Sequence, residues 1–260
     1  MIRIHAHRGA SGYAPENTLI SFKMAVDLGS DGIECDIHRT SDGHLVVCHD
    51  ATIDRTSDGS GAIRDMTLAE IQSHDFTKKF YGMNPPATAP TLQQMLDVVK
   101  DMDPINIEIK EFAGHEQEVF DLFHRILADY GCIGRVIVSS FNVTLLGRLK
   151  AAWPDLKTGY LYHPMMEKFM KSKGAPAPFE LFPAERAVQT ALEQHCDAIH
   201  PCIDFLEPDT VADAHANALK VNVWTCNTLQ QVCRSVQLGV DGIITNYPDW
   251  VRFALENLPE

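Results

Sequence analysis

No stretch of this chain comes near the ~20 consecutive apolar residues that a membrane-spanning helix needs. The residues after Met1 run to His5, His7 and Arg8 instead of into the apolar core of a signal peptide, so a cytoplasmic placement is expected. Basic residues are scarce: 22 Lys and Arg stand against 35 Asp and Glu, a formal net charge of −13. Such a surface repels phosphate backbones and anionic lipid, so nucleic-acid binding and stable membrane association are not expected; a local positive pocket is still compatible with phosphate. The seven cysteines (Cys35, Cys48, Cys132, Cys196, Cys202, Cys226 and Cys233) are odd in number and form no C-x-x-C pair. That speaks against a disulfide framework and a zinc knuckle and for small buried hydrophobes. Two further signatures are incomplete. Gly9-Ala10-Ser11-Gly12-Tyr13 lacks the second glycine of a nucleophile elbow, and Gly59-Ser60-Gly61 lacks the third glycine of a dinucleotide fingerprint.

What is present is a rhythm. Of the 260 residues, 45% are hydrophobic, and short Ile/Val-rich runs alternate with longer segments of helical period. About eight βα units can be counted. The strands predicted are Ile2 to Ala6, Gly32 to Ile37, Pro104 to Ile109, Arg135 to Ser139, Lys157 to Leu161, Ala198 to His200, Lys220 to Thr225 and Gly242 to Thr245. Helical patterns cover Asn17 to Leu28, Glu116 to Tyr130, Val143 to Ala152, Ala184 to His195, Pro208 to Ala218, Leu229 to Leu238 and Pro248 to Asn257. Pro208 and Pro248 suit a first helical turn, and Gly29, Gly131 and Gly239 suit left-handed caps. Eight such units in one chain point to an α/β TIM (β/α)8 barrel, a single domain over residues 1–260. A segment from about His44 to Thr91 fits the repeat badly and reads as a small insertion after strand two, with its own short strand, Leu45 to Cys48. Another, His163 to Pro183, carries Met165, Met166, Phe169, Met170, Pro176, Pro178 and Phe182, and reads as an ordinary connection, an apolar lip or a dimer contact.

Barrel chemistry sits at the C-terminal ends of strands, so polar residues there weigh most. The strand period of two puts Glu34 and Asp36 on one face and Ile33, Cys35 and Ile37 on the other; likewise Glu108 stands beside Lys110 with three isoleucines opposite. If the isoleucines meet the helices, the acids face the barrel interior, where unpaired carboxylates cost several kcal/mol. A divalent cation removes that cost, and an all-oxygen set suits a hard ion such as Mg2+ or Ca2+ better than zinc. The alternative is that the acids are solvated outside, or paired with Lys110 and Arg8. His7-Arg8-Gly9 ends strand one and His49-Asp50 follows the short strand. With Arg8, Lys110 and a cation, these histidines would form a site for a phosphoryl group.

His7-Arg8-Gly9, Pro15-Glu16-Asn17-Thr18, Glu34-x-Asp36, His49-Asp50, Ile107-Glu108-Ile109-Lys110, Val223-Trp224-Thr225 and Gly239-Val240-Asp241-Gly242-Ile243-Ile244-Thr245 occur in this order. Together they resemble the glycerophosphodiester phosphodiesterase family, over about residues 3 to 250. The resemblance implies a TIM barrel that hydrolyses glycerophosphodiesters, such as glycerophosphocholine or glycerophosphoethanolamine, to sn-glycerol 3-phosphate and an alcohol. It implies one divalent cation, Mg2+ or Ca2+ with Mn2+ a further candidate, held by Glu34, Asp36 and Glu108. It also implies acid/base histidines at His7 and His49, phosphate contacts from Arg8 and Lys110, and a pocket-lining Trp224. Glu16 and Asn17 are expected to brace the first loop or cap the first helix. Many relatives carry Asp where this chain has Asn246. The partner expected is a small-molecule substrate, acting on a monomer or homodimer.

Three rivals differ in sequence marks. A zinc amidohydrolase would use His5-Ala6-His7 with histidines near His163 and His200, but would need an Asp ending strand eight, where Thr245-Asn246 stands. A barrel that only binds diesters would have lost a carboxylate or a histidine, and none is missing. A nucleic-acid binder would show a basic patch with interleaved aromatics.

Overall fold

The computed structural model describes residues 1–80, 85–110, 114–165 and 180–258. Eight parallel strands close into the expected barrel: β1 (Arg3–His7), β2 (Gly32–Arg39), β4 (Ile105–Ile109), β5 (Val136–Ser140), β6 (Lys157–Tyr162), β7 (Ala198–Pro201), β8 (Lys220–Val223) and β9 (Gly242–Thr245). They neighbour one another in that order, and β9 pairs back onto β1. The remaining strand, β3 (Leu45–Val47), is antiparallel to the end of β2, with Ile37 opposite Val47. The described α-helices are α1 (Leu19–Asp27), α2 (Leu68–Gln72), α3 (Leu92–Val99), α4 (Glu116–Asp129), α5 (Val143–Ala152), α6 (Ala187–Glu193), α7 (Pro208–Ala216), α8 (Leu229–Leu238) and α9 (Pro248–Asn257), joined by short 3-10 turns.

The strand alternation does what the sequence anticipates. Ile4, Ala6, Ile33, Cys35, Ile37, Ile105, Ile107, Ile109, Val136 and Val138 are buried in one hydrophobic cluster with the surrounding helices, including Phe22, Leu96 and Phe123. Removing such side chains from water is the main stabilising term, about 25 cal/mol per Å2 of apolar surface. Helix starts are set locally. Thr18 with Ser21, Thr67 with Glu70, Thr91 with Gln94 and Thr228 with Gln231 each form a reciprocal capping box, which satisfies N–H groups that otherwise lack partners. Pro208 and Pro248 occupy first turns, and Gly239 closes α8 in the left-handed region at φ 70. The box at Thr91 opens α3, a helix absent from the ranges expected above although Leu92, Met95, Leu96 and Val99 stand at helical spacing and are buried.

The opposite faces of the same strands fill the barrel with polar side chains. His5, Asn106, Ser139, His200 and Asn222 are all buried, and the Asn222 amide lies 3.0 Å from Nε2 of His200. Gly159 makes room for this layer, because a Cβ there would stand 2.5 Å from the same Nε2. Nδ1 of His5 and of His200 and both amide atoms of Asn106 have no hydrogen-bond partner among the described residues. Such groups are where buried water is ordinarily held.

Between β2 and α3 the chain builds a second, smaller core from Val46, Cys48, Ile53, Ile63, Ile71, Phe76 and Ala89. It anchors the residues that follow β3 beside the barrel mouth: Cys48 N–H donates to the Asp36 carbonyl at 3.0 Å, and His38 Nε2 lies 3.1 Å from the His49 carbonyl. Of the proposed apolar lip, Met166, Phe169, Met170, Pro176 and Pro178 lie outside the described residues.

Candidate active site

β2 and β4 are in register with Asp36 opposite Glu108 and Glu34 opposite Asn106. Their inward positions therefore stack at one end of the barrel. Glu34, Asp36 and Glu108 are buried, and each offers a carboxylate oxygen within 4.8 Å of the others. The acids face inward, as the first sequence reading has it, and two of them are also paired with Lys110 and Arg8, as the alternative has it.

Two cations share this space. Lys110 Nζ lies 2.8 Å from Asp36 Oδ1 and also contacts Glu108. Arg8 takes a left-handed backbone, φ 56, which turns its N–H onto Glu34 at 2.8 Å (carbonyl) and 3.0 Å (Oε2). Its guanidinium reaches Glu16 at 2.8 Å and Asp36 at 3.5 Å. Gly9 follows at φ 76, where a Cβ would stand 2.5 Å from Ser21. Only glycine fits both demands.

Burial drives the protonation states apart. Loss of solvent pushes Glu34 well above the usual carboxylate range, with the Asp36 charge adding to it. Burial likewise raises Glu108 to about 7 against the pull of Lys110. For Asp36 burial is overruled: Lys110 and Arg8 hold it well below its ordinary value. Three carboxylates thus face two cations, and two of the three resist ionisation. A hard divalent cation fits this oxygen-only set, because it would favour the charged form of all three acids.

The histidines stand at the edge of the cluster. His7 Nδ1 lies 2.7 Å from Asn246 Oδ1 and its Nε2 lies 3.8 Å from Glu34; burial, helped by Arg8, lowers it to about 3. His49 Nδ1 pairs instead with a carboxylate, Asp50 Oδ1, at 2.5 Å. Burial lowers His49, with the Asp36 charge opposing. Arg55 grips Asp50 at 2.7 Å and Glu16 at 2.7 Å, which ties the first loop to the segment that carries His49. Hence seven expected site residues, His7, Arg8, Glu34, Asp36, His49, Glu108 and Lys110, gather at β1–β4.

Trp224 lies apart from that network. Its Nε1 donates to the His200 carbonyl at 2.7 Å, and its ring packs at 5.8 Å from Phe141 and 6.0 Å from His163. Of the two roles expected for Glu16 and Asn17, bracing is the one found. Neither Glu16 nor Asn17 caps α1, since Thr18 is the cap. Glu16 braces two arginines, and Asn17, at φ 56, donates its amide to Asp36 at 2.9 Å. Residues the sequence leaves unmarked also enter: Arg55 between two carboxylates, and Phe141 beside Trp224. The zinc alternative finds no ligand group. Among the described residues the only cluster of three or more His, Cys, Asp or Glu placed for a metal is the carboxylate set.

Residues 7–250 match the sequence profile of the glycerophosphoryl diester phosphodiesterase family. The chain is 37% identical over 253 residues to a glycerophosphodiester phosphodiesterase of Caldanaerobacter subterraneus subsp. tengcongensis, spanning 94% of this chain and 93% of that protein. It is 31% identical to one from Bacillus altitudinis over 96% of each. Its fold superposes with a TM-score of 0.81 on an Oleispira antarctica phosphodiesterase solved with the product sn-glycerol-3-phosphate. That pair is 28% identical, and the match covers 98% of this chain and 97% of the other.

Proposed function

This chain belongs to the glycerophosphoryl diester phosphodiesterase family and is a phosphoric diester hydrolase, and from that premise we propose a cation-dependent reaction run by two histidines. Its substrates are glycerophosphodiesters such as glycerophosphocholine and glycerophosphoethanolamine; its products are sn-glycerol 3-phosphate and the free alcohol. The observation that carries the reading is the meeting of Glu34, Asp36 and Glu108 within 4.8 Å, flanked by Arg8, Lys110 and two histidines with different partners. On this reading residues 1–260 act as one unit, whose insertion brings His49 and Arg55 to the barrel mouth.

Glu34, Asp36 and Glu108 would hold the divalent cation, Mg2+ or Ca2+, with Mn2+ as a substitute, and such an ion would supply Lewis-acid polarisation of a phosphoryl oxygen. Arg8 and Lys110 add positive charge for the remaining oxygens, which gain charge as the phosphorus is attacked. His7, whose Nδ1 is engaged by the Asn246 amide oxygen, presents Nε2, 3.8 Å from Glu34, to take the proton from the nucleophile. That nucleophile is water or the substrate's own 2-hydroxyl; either one needs the same base. His49, whose Nδ1 is backed by Asp50, is the better holder of a proton. It delivers that proton to the alcohol oxygen as the P–O bond breaks.

No described helix is long and apolar enough to cross a membrane. The seven cysteines are free, six of them buried, which supports the cytoplasmic placement we propose. The test of the reaction is release of sn-glycerol 3-phosphate from both esters after chelation, and then with each cation restored. Loss on chelation and recovery with a hard cation supports the reading. Failure of folded protein to release product under any cation removes it.

A further inference from the structure

The barrel mouth has two chemically distinct halves. The ends of β1, β2, β3 and β4 and the segments that follow them carry the carboxylates, the cations and the two histidines of the site. The next four strand ends carry aromatic rings: Phe141 follows β5, His163 follows β6, Phe205 follows β7 and Trp224 follows β8. These rings touch in sequence. Phe141 packs edge-on to Trp224 at 5.8 Å, Trp224 lies 6.0 Å from His163, and His163 packs at 5.0 Å against Phe205. Phe205, at the end of this row, is left 46% exposed.

The wall is poor in free hydrogen-bonding groups. The Trp224 N–H is spent on the His200 carbonyl, and His163 Nδ1 accepts from the Met165 N–H at 3.0 Å. One carboxylate stands at its edge: Asp204, next to Phe205, is near enough for its charge to act on His163. It is held by Gln231 at 2.9 Å.

A phosphodiester has two arms, and the two halves suit different ones. The glycerol arm carries two hydroxyls, which need donors and acceptors or a cation; the carboxylate half supplies them. A cation with no N–H to donate gains little from hydrogen bonds. It gains from ring faces and from a carboxylate at longer range, the combination that recognises quaternary ammonium ions. We propose that Phe141, His163, Phe205 and Trp224, with Asp204 at their edge, form a subsite for a quaternary ammonium head group. Glycerophosphocholine is therefore favoured over esters whose alcohol is a primary amine or a polyol. This proposal rests on the diesterase reading above and adds what selects the leaving alcohol.

The experiment compares kcat/KM for glycerophosphocholine and glycerophosphoglycerol in the wild type, Phe205→Leu, Phe205→Tyr and Asp204→Asn. Phe205→Leu keeps apolar volume and removes the ring, so it should lower the choline-to-glycerol ratio about 3- to 30-fold, the range set by a cation on a ring face. Asp204→Asn should lower the same ratio, and Phe205→Tyr should preserve it. A ratio unchanged in Phe205→Leu and Asp204→Asn, or a wild type that does not prefer the choline ester, overturns the proposal. If the wild type cleaves neither ester, the diesterase reading falls separately. Calorimetry with the two esters then decides the subsite alone: tighter binding of glycerophosphocholine that is lost in Phe205→Leu upholds it, and equal binding overturns it.

Discussion

His49 and Asp50 are neighbours in the chain and partners in space, with imidazole Nδ1 2.5 Å from carboxylate Oδ1. Arg55 closes on the far oxygen of the same carboxylate at 2.7 Å. The histidine is therefore oriented by a charge that is itself held. Asp50→Asn should lower kcat by about 10- to 100-fold, the scale of one charge-assisted hydrogen bond, with little change in KM. His7→Ala and His49→Ala should each lower turnover by the ~100- to 10,000-fold typical of lost acid/base help. Steady-state kinetics on glycerophosphocholine checks all three.

Cation binding should depend on pH in a definite direction. Burial raises Glu108 to about 7 and holds Glu34 well above its ordinary value. A cation must displace protons from both below that range, so its affinity should rise from pH 6 to pH 8. Glu108→Gln should weaken binding and remove part of that dependence. Calorimetric titration with Mg2+ and Ca2+ at the two pH values measures both effects; a pH-independent affinity would speak against the carboxylate site.

The polar floor of the barrel makes the fold acid-sensitive. Burial lowers His5 to about 4 and His200 to about 3, against an unfolded value of about 6.5. Between those limits the unfolded chain binds the extra protons. The stability these neutral imidazoles permit is complete above about pH 6.5 and declines as pH falls toward the folded values. His200→Gln removes one titrating group, so the loss of stability between pH 7.5 and pH 5 should be smaller than in the wild type. Urea unfolding at both pH values gives the comparison.

Gly9 couples backbone geometry to the site. Its φ of 76 and the 2.5 Å approach of Ser21 to a hypothetical Cβ leave no room for a side chain. Gly9→Ala should cost about 1–3 kcal/mol of stability, through strain and overpacking together. It should also lower kcat, because Arg8 hangs from the same turn. Thermal unfolding and kinetics on the one variant check both; a variant with wild-type stability and rate would place the turn outside the site.

Much of this was legible in the sequence because strands have a period of two. The period sets Glu34 and Asp36 on one face and Ile33, Cys35 and Ile37 on the other; the closed barrel, which buries the isoleucine face in the hydrophobic core, decides that the acids point inward. The same logic places Glu108 beside Lys110. Local rules reach less far where tertiary packing decides. Asn17 looks like a cap, yet its left-handed backbone sends its amide to Asp36, a partner 19 residues away. Arg55 lies in an insertion without periodic signal, and its link to Glu16 spans 39 residues. The aromatic half of the mouth is assembled from four separate loops. No spacing along the chain brings Phe141 to Trp224; the closed barrel does.

The division of labour between the two histidines is the centre of the account, and a change of leaving group tests it most directly. A nitrophenyl ester of glycerol phosphate releases a weakly basic phenolate that needs no proton, whereas choline needs one. His49→Ala should therefore retain most of its rate on the nitrophenyl ester while losing it on glycerophosphocholine. His7→Ala should lose rate on both, since each substrate still needs its nucleophile deprotonated. Equal losses on both esters in His49→Ala, or a His7→Ala enzyme rescued by the better leaving group, would contradict the assignment.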